Sequence, residues 1–272
     1  MATTNVGSIE AASKYQERRA VPEAWGRDEL TKFFGLNEDQ MFASAATYPD
    51  WMKVVVRLDE ILVMRASDVF HEVDEARQVS AQLFMRAFGT YRAATRLALS
   101  GQLFETFVLL RSIIESSAYA WKCAHSEEHR MAWLARADDG VGRKASKKLF
   151  KWVDIMGEIK DKYPRFGPAM SEAYDKSIDL GAHPNVEGIQ LSSEVKQIGK
   201  DKFELSAVYM HGADAVLLAV LELTNVMNYV YQLMIQVVGE RMRILGLDEK
   251  MEREMRDILA LVREWERVEG RQ

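Results

Sequence analysis

Three polar residues in this chain have the types and setting to share chemistry: Arg111, Glu115 and His183. Arg111 and Glu115 lie four residues apart in QLFETFVLLRSIIESSAYAWKCAH, residues 102–125, a stretch otherwise almost wholly apolar. On a helix that spacing makes the two side chains neighbours on one face. His183 stands in GAHPN, residues 181–185, beside Asn185 and just after a helical segment. A histidine near neutral pKa acts as an acid or a base, or holds a phosphate. The three residues are the candidate catalytic set, gathered round a polar pocket. Each also has a purely structural reading. Arg111 and Glu115 can be an ion pair that fixes how helices dock. His183 and Asn185 can satisfy backbone groups at a helix end.

Other constellations carry less. HSEEH, residues 125–129, matches the H-x-x-E-H zinc motif. That motif needs both histidines on one unbroken helix, and Ser126 reads as the N-cap of a new one. No metal and no cofactor is expected. Arg143, Lys144, Lys147, Lys148 and Lys151 are spaced to place several cations on one side of a helix. Such a face takes RNA or a phosphate ligand, or is simply solvated. Phosphate-loop, dinucleotide-fold and nucleophile-elbow motifs are absent from the sequence.

The elements that position these residues follow from periodicity. With Arg111 as zero and about 100° per residue, Phe104, Phe107, Val108, Glu115 and Ala118 fall on its side of the helix. Leu109, Ile113, Leu110, Ile114 and Trp121 occupy the rest, and only Glu105, Ser112 and Ser116 form a polar stripe. A helix apolar on most of its circumference is central in a larger bundle. The Arg111–Glu115 pair is therefore expected beneath a phenylalanine-rich layer.

Around this segment the pattern predicts helices over 50–64, 74–100, 126–136, 144–162, 168–180, 213–238 and 248–268. Gly101 predicts a tight reversal, so 74–100 and 102–125 are expected as an antiparallel pair. A β-hairpin is expected near 187–209, where GIQLSS and KFELSAVY alternate about a GKD turn. The expected fold class is all-α, a multi-helix bundle with one small hairpin. Residues 1–47 read as an arm on the body, with short helices over 10–20 and 28–34, the second closed by Gly35. Residues 48–247 read as the bundle, and 248–272 as a C-terminal amphipathic helix.

Composition sets outer limits. The 272 residues are 48% hydrophobic and 28% charged, enough for one sizeable core, and the net charge of −5 excludes a generic polyanion binder. One cysteine, Cys123, excludes an intramolecular disulfide framework. The N-terminal residues lack an apolar signal core, and a cytoplasmic protein is expected. Residues 213–238 are apolar enough for a membrane span, but Glu222, Asn225, Asn228, Gln232 and Gln236 gather on one side. A core helix is expected there, with no membrane span.

LLRSIIESSAYAW, residues 109–121, followed by GAHPN and a long apolar helix, resembles a group of bacterial helical-bundle proteins. These share an L-x-R-x-x-x-E helix and a later histidine-bearing loop, and have been compared with HEPN-type bundles. The resemblance covers about residues 50–240. It implies a helical bundle, points to Arg111, Glu115 and His183, and supplies no activity. Arg65 and His71 match the loose R-x(4–6)-H pattern of the HEPN ribonucleases, with Ala66 where those enzymes usually carry a polar residue. The leading expectation is a non-enzymatic interaction or regulatory module, with a homodimer through its long helices as its expected assembly. The alternative is a ribonuclease or stress-defence protein that uses Arg111 or Arg65 with a histidine on a phosphodiester.

Overall fold

Helices form where the apolar spacing calls for them. A computed structural model describes residues 21–137, 140–182 and 186–268. It is mostly helical, with a two-stranded antiparallel sheet. The chain runs through α1 (Glu29–Thr47), α2 (Pro49–Leu58), a π turn (Asp59–Met64), α3 (Arg65–Phe70), α4 (Glu75–Leu99) and α5 (Leu103–His125). It continues through α6 (Glu127–Leu134), α7 (Gly140–Leu149), α8 (Trp152–Lys162), α9 (Gly167–Ser177) and a second π turn (Ile178–Ala182). Then come α10 (Val186–Ser192), β1 (Ser193–Gly199), β2 (Lys202–Ala207), α11 (Ala213–Ile244) and α12 (Asp248–Val268).

The body is built round α4 and α5. The Asp74 side chain accepts a hydrogen bond from the Arg77 amide and starts α4. Gly101, at φ +74°, reverses the chain after it. A Cβ on Gly101 would meet the His211 carbonyl oxygen at 2.4 Å, so the turn is closed by the segment that leads into α11. The two helices then run antiparallel, and the Ser80 hydroxyl donates to the Ala120 carbonyl at 2.7 Å.

Helix α5 is covered by α4, by α11, and by α8, α9 and the second π turn. Leu110, Ile113, Ile114, Ala118, Trp121 and Cys123 are each at most 2% exposed although they point in several directions. The segment expected at the centre of the molecule is there. The Cys123 thiol is pushed up to about 12 by burial, so it stays protonated and acts as a small apolar group. Helix α11 is long and apolar enough to cross a membrane by length and composition, and 56% of that stretch is buried inside the bundle. Its expected polar residues Glu222, Asn225, Asn228, Gln232 and Gln236 are all at least partly exposed. The non-helical backbone of Val238 kinks α11 where the helix was expected to end, and the Arg77 side chain donates to the freed Val237 carbonyl at 3.2 Å.

Three expectations are corrected. Helix α1 does not stop at Gly35: it runs to Thr47, because the flanking residues keep helical backbone and Asn37 Nδ2 donates back to the Phe33 carbonyl at 2.9 Å. The expected helix 144–162 is two helices, broken at Phe150 and Lys151. The break lets Phe150 turn edge-on to Tyr119, His129 and Trp133, while Trp152 stacks on Tyr174. The hairpin exists, but its first strand begins at Ser193. The second strand ends at Ala207, so residues 186–192 have no strand to pair with and form α10. The expected helix over 10–20 lies outside the described residues.

Candidate functional site

Arg111 and Glu115 face outward from the middle of α5. Arg111 Nε donates to Glu115 Oε1 at 2.9 Å. The same oxygen accepts the Tyr174 hydroxyl of α9 at 3.0 Å. The guanidinium lies 5.5 Å from the centre of the Tyr174 ring, whose other contact is a stack on Trp152 at 3.8 Å. This corrects the expected burial. The two side chains are 28% and 29% exposed, and the ring over the guanidinium is Tyr174, backed by Trp152. The reason is that Val108, on the same side of α5, is itself 43% exposed, so this strip of the helix reaches the rim of the bundle.

Burial pulls the Arg111 pKa down, but the hydrogen bond and charge of Glu115, with Tyr174, more than offset it and hold it above the ordinary value. The Tyr174 hydroxyl is pushed up to about 12, by burial first and then by the Glu115 charge and hydrogen bond. It therefore remains a donor at any physiological pH. The carboxylate is tied by a cation and a hydroxyl, which leaves it poorly suited to act as a general base.

The loop that carries His183 leaves from close by. Gly181, in the second π turn, packs directly on α5: a Cβ there would meet the Phe104 carbonyl oxygen at 2.6 Å and the Val108 nitrogen at 2.8 Å. Those contacts lie about one to two turns of α5 before Arg111. His183 and Asn185 themselves lie outside the described residues.

On the other flank of the pair a groove of about 580 Å³ opens between α4, α5 and α6. Leu83, 4% exposed, is among its lining residues. Its wall is the polar stripe of α5, Ser112 and Ser116, with Glu115 and Tyr119. Arg86 of α4 stands on one side, with Trp133 and Arg136 on the other, and the Arg136 guanidinium sits 5.4 Å from the Trp133 ring centre. Neither Arg86 nor Arg136 forms an ion pair with a described carboxylate, in contrast to Arg111. Burial, and then the Glu115 charge, raise the Tyr119 pKa against the opposing pull of Arg136 and Arg111, so this phenol also stays protonated.

Beyond Arg136 lies the expected basic run, on α7 and, for Lys151, in the break that follows it. Arg143, Lys144, Lys147, Lys148 and Lys151 are all exposed, and none pairs with a described carboxylate. Asp138 and Asp139, between Arg136 and α7, lie outside the described residues.

The other motifs fall apart in space or stay structural. Ser126 caps α6, so His125 ends one helix and His129 begins the next. Their Nδ1 atoms are engaged by the Trp121 carbonyl and the Ser126 hydroxyl, each at 2.8 Å. Among the described residues no three His, Cys, Asp or Glu side chains are grouped to hold a metal ion. Arg65 lines a larger groove of about 780 Å³ over the first π turn, and His71 is not part of that lining. A second cation of that lining, Arg92, is bound through two hydrogen bonds to Asp59, at 2.7 and 2.8 Å.

Three histidines predict an acid response. His125, His129 and His211 are each held below the ordinary imidazole value, chiefly by burial. The unfolded chain protonates them near pH 6.5, before the folded one does. Stability is therefore full above that pH and declines as pH falls through the lower folded values. The melting temperature is expected to drop between pH 7 and pH 5, a window above most carboxylate titrations. In His211→Gln the drop is expected to be smaller, and calorimetry across that range checks it.

Tyr174, Trp152, Arg86 and Arg136 are the residues that sequence reasoning did not attach to the site. Each comes from a different helix from Arg111, and no short-range spacing links them to it. Comparison of the chain with protein-family models, curated proteins and solved structures finds no match. The likeness to bacterial helical bundles and to HEPN folds therefore rests on the short strings quoted above.

Proposed function

We propose that the chain is a non-catalytic interaction or regulatory module whose α4–α5–α6 groove holds a phosphate-bearing ligand. The observation that carries this is the charge arrangement of the groove. Among the described residues that line it the carboxylate is Glu115, satisfied by Arg111 and Tyr174, while Arg86 and Arg136 face the space without a described acidic partner. Guanidinium groups match phosphate oxygens in a two-pronged geometry, and the Ser112, Ser116 and Tyr119 hydroxyls add neutral donors. The exposed cations of α7 extend the positive field toward a longer anion, which is where an RNA ligand would lie. In this reading Arg111–Glu115 is a positioning pair that shapes the groove wall, and His183 has no assigned chemistry.

The test is calorimetric titration with inorganic pyrophosphate, alongside an RNA-cleavage assay. Arg86→Ala and Arg136→Ala are each expected to weaken binding about tenfold, or roughly 1.4 kcal/mol. Binding should also fall with added salt. No RNA cleavage is expected. Cleavage that disappears in Arg111→Ala and His183→Ala, with both variants folded by circular dichroism, would replace this reading by the ribonuclease one.

A further inference from the structure

The hairpin stands out because nothing described covers it. Val195, Phe203 and Leu205 are 61%, 58% and 71% exposed. The strand register pairs Val195 with Leu205 and Gln197 with Phe203, so all four side chains share one face. Glu194, Lys196 and Glu204 share the other. An amphipathic two-stranded sheet of this kind is marginal alone and gains stability from further strands.

The free edge of β1 is also defined. Val208 N donates to the Ser192 carbonyl at 2.8 Å, which makes Ser192 and Val208 a hydrogen-bonded pair. Antiparallel pairing alternates, so Glu194 with Ser206 and Lys196 with Glu204 are the next such pairs. The N–H and C=O groups of Ser193, Val195 and Gln197 consequently point away from β2, to an edge that no described strand occupies.

We propose that this edge takes β1 of a second copy of the chain, antiparallel about a two-fold axis at Val195. The sequence Ser193-Glu194-Val195-Lys196-Gln197 is complementary to itself in that register. Val195 meets its own copy, and Ser193 meets Gln197. Both are pairs with outward hydrogen-bonding groups, giving about six backbone hydrogen bonds across the axis. Glu194 then faces Lys196 of the other copy twice, in the non-hydrogen-bonded positions where side chains approach most closely. With Lys196 already opposite Glu204 in its own hairpin, charges alternate across the four strands. A shift by one residue would put apolar and charged faces on the same side, so the register is fixed by the pattern. Such an isologous contact closes on itself as a dimer. It moves the expected self-association from the long helices to the hairpin.

Light scattering on the full chain tests this, and a mass near twice 31.1 kDa is expected. Glu194→Lys leaves the hairpin's own pairs uncharged against it but sets lysine against lysine across the axis. Lys196→Glu sets glutamate against glutamate across the axis and also against Glu204 of its own hairpin, so it is paired with Glu204→Lys, which restores the internal contact. Each is expected to raise the dimer dissociation constant at least about tenfold. Mixing the two variants restores both opposite-charge contacts and should recover a heterodimer. Val195→Pro removes an outward N–H without touching the pairing to β2, and should also give monomers. A monomeric wild-type chain would overturn the proposal. So would a dimer that all three substitutions leave intact, or variants that dissociate alone and fail to associate when mixed.

Discussion

Gly181→Ala is expected to destabilise the protein by about 3 kcal/mol, a large loss for adding one methyl group. The backbone at Gly181 is not in the left-handed region, so the cost is purely steric. Three atoms stand in the way: the Phe104 carbonyl oxygen at 2.6 Å, and the Phe107 Cβ and Val108 nitrogen at 2.8 Å. Two are main-chain atoms of α5 and the third is fixed to it, so no side-chain rotation relieves the clash. The second π turn must lift off α5, and the segment leading to His183 lifts with it. Urea denaturation measures the loss. Gly157→Ala is the control, since a Cβ there meets nothing within 4 Å.

Ile113→Ala and Ile114→Ala are each expected to cost between about 2 and 5 kcal/mol. The two side chains leave α5 about 100° apart and both have 0% exposure. Losing either should open a cavity that its neighbours cannot fill. Val108→Ala, on the strip that reaches the surface, is expected to cost a few tenths of a kcal/mol. Equal costs at all three positions would contradict the central placement of α5. The same denaturation series answers the question.

The central helix was legible because residues 102–125 are apolar in nearly every direction. Arg111 and Glu115 were legible because their contact is local, four residues along one helix. Their depth was not, since it depends on Tyr174 and Trp152, which arrive from two other helices. The polar stripe Ser112–Ser116 was visible in the sequence, but it became a groove wall only once α4 and the 3-10 turn after α6 (Ala135–Ala137) brought Arg86 and Arg136 opposite it. The break at Phe150 was hidden because the residues on either side suit a helix; two aromatic rings bound for different neighbours decide it. The hairpin was anticipated from alternation, while its start depended on where β2 runs out of residues to pair.

The groove reading is tested most directly by following the indole N–H signals of the tryptophans by NMR during a pyrophosphate titration. Trp133 lines the groove, whereas Trp25 lies on the exposed segment ahead of α1. The Trp133 resonance is expected to shift in a saturable way, with Trp25 unmoved, and Arg136→Ala should suppress the change. Saturable binding that leaves Trp133 where it was would place the ligand elsewhere and contradict the account.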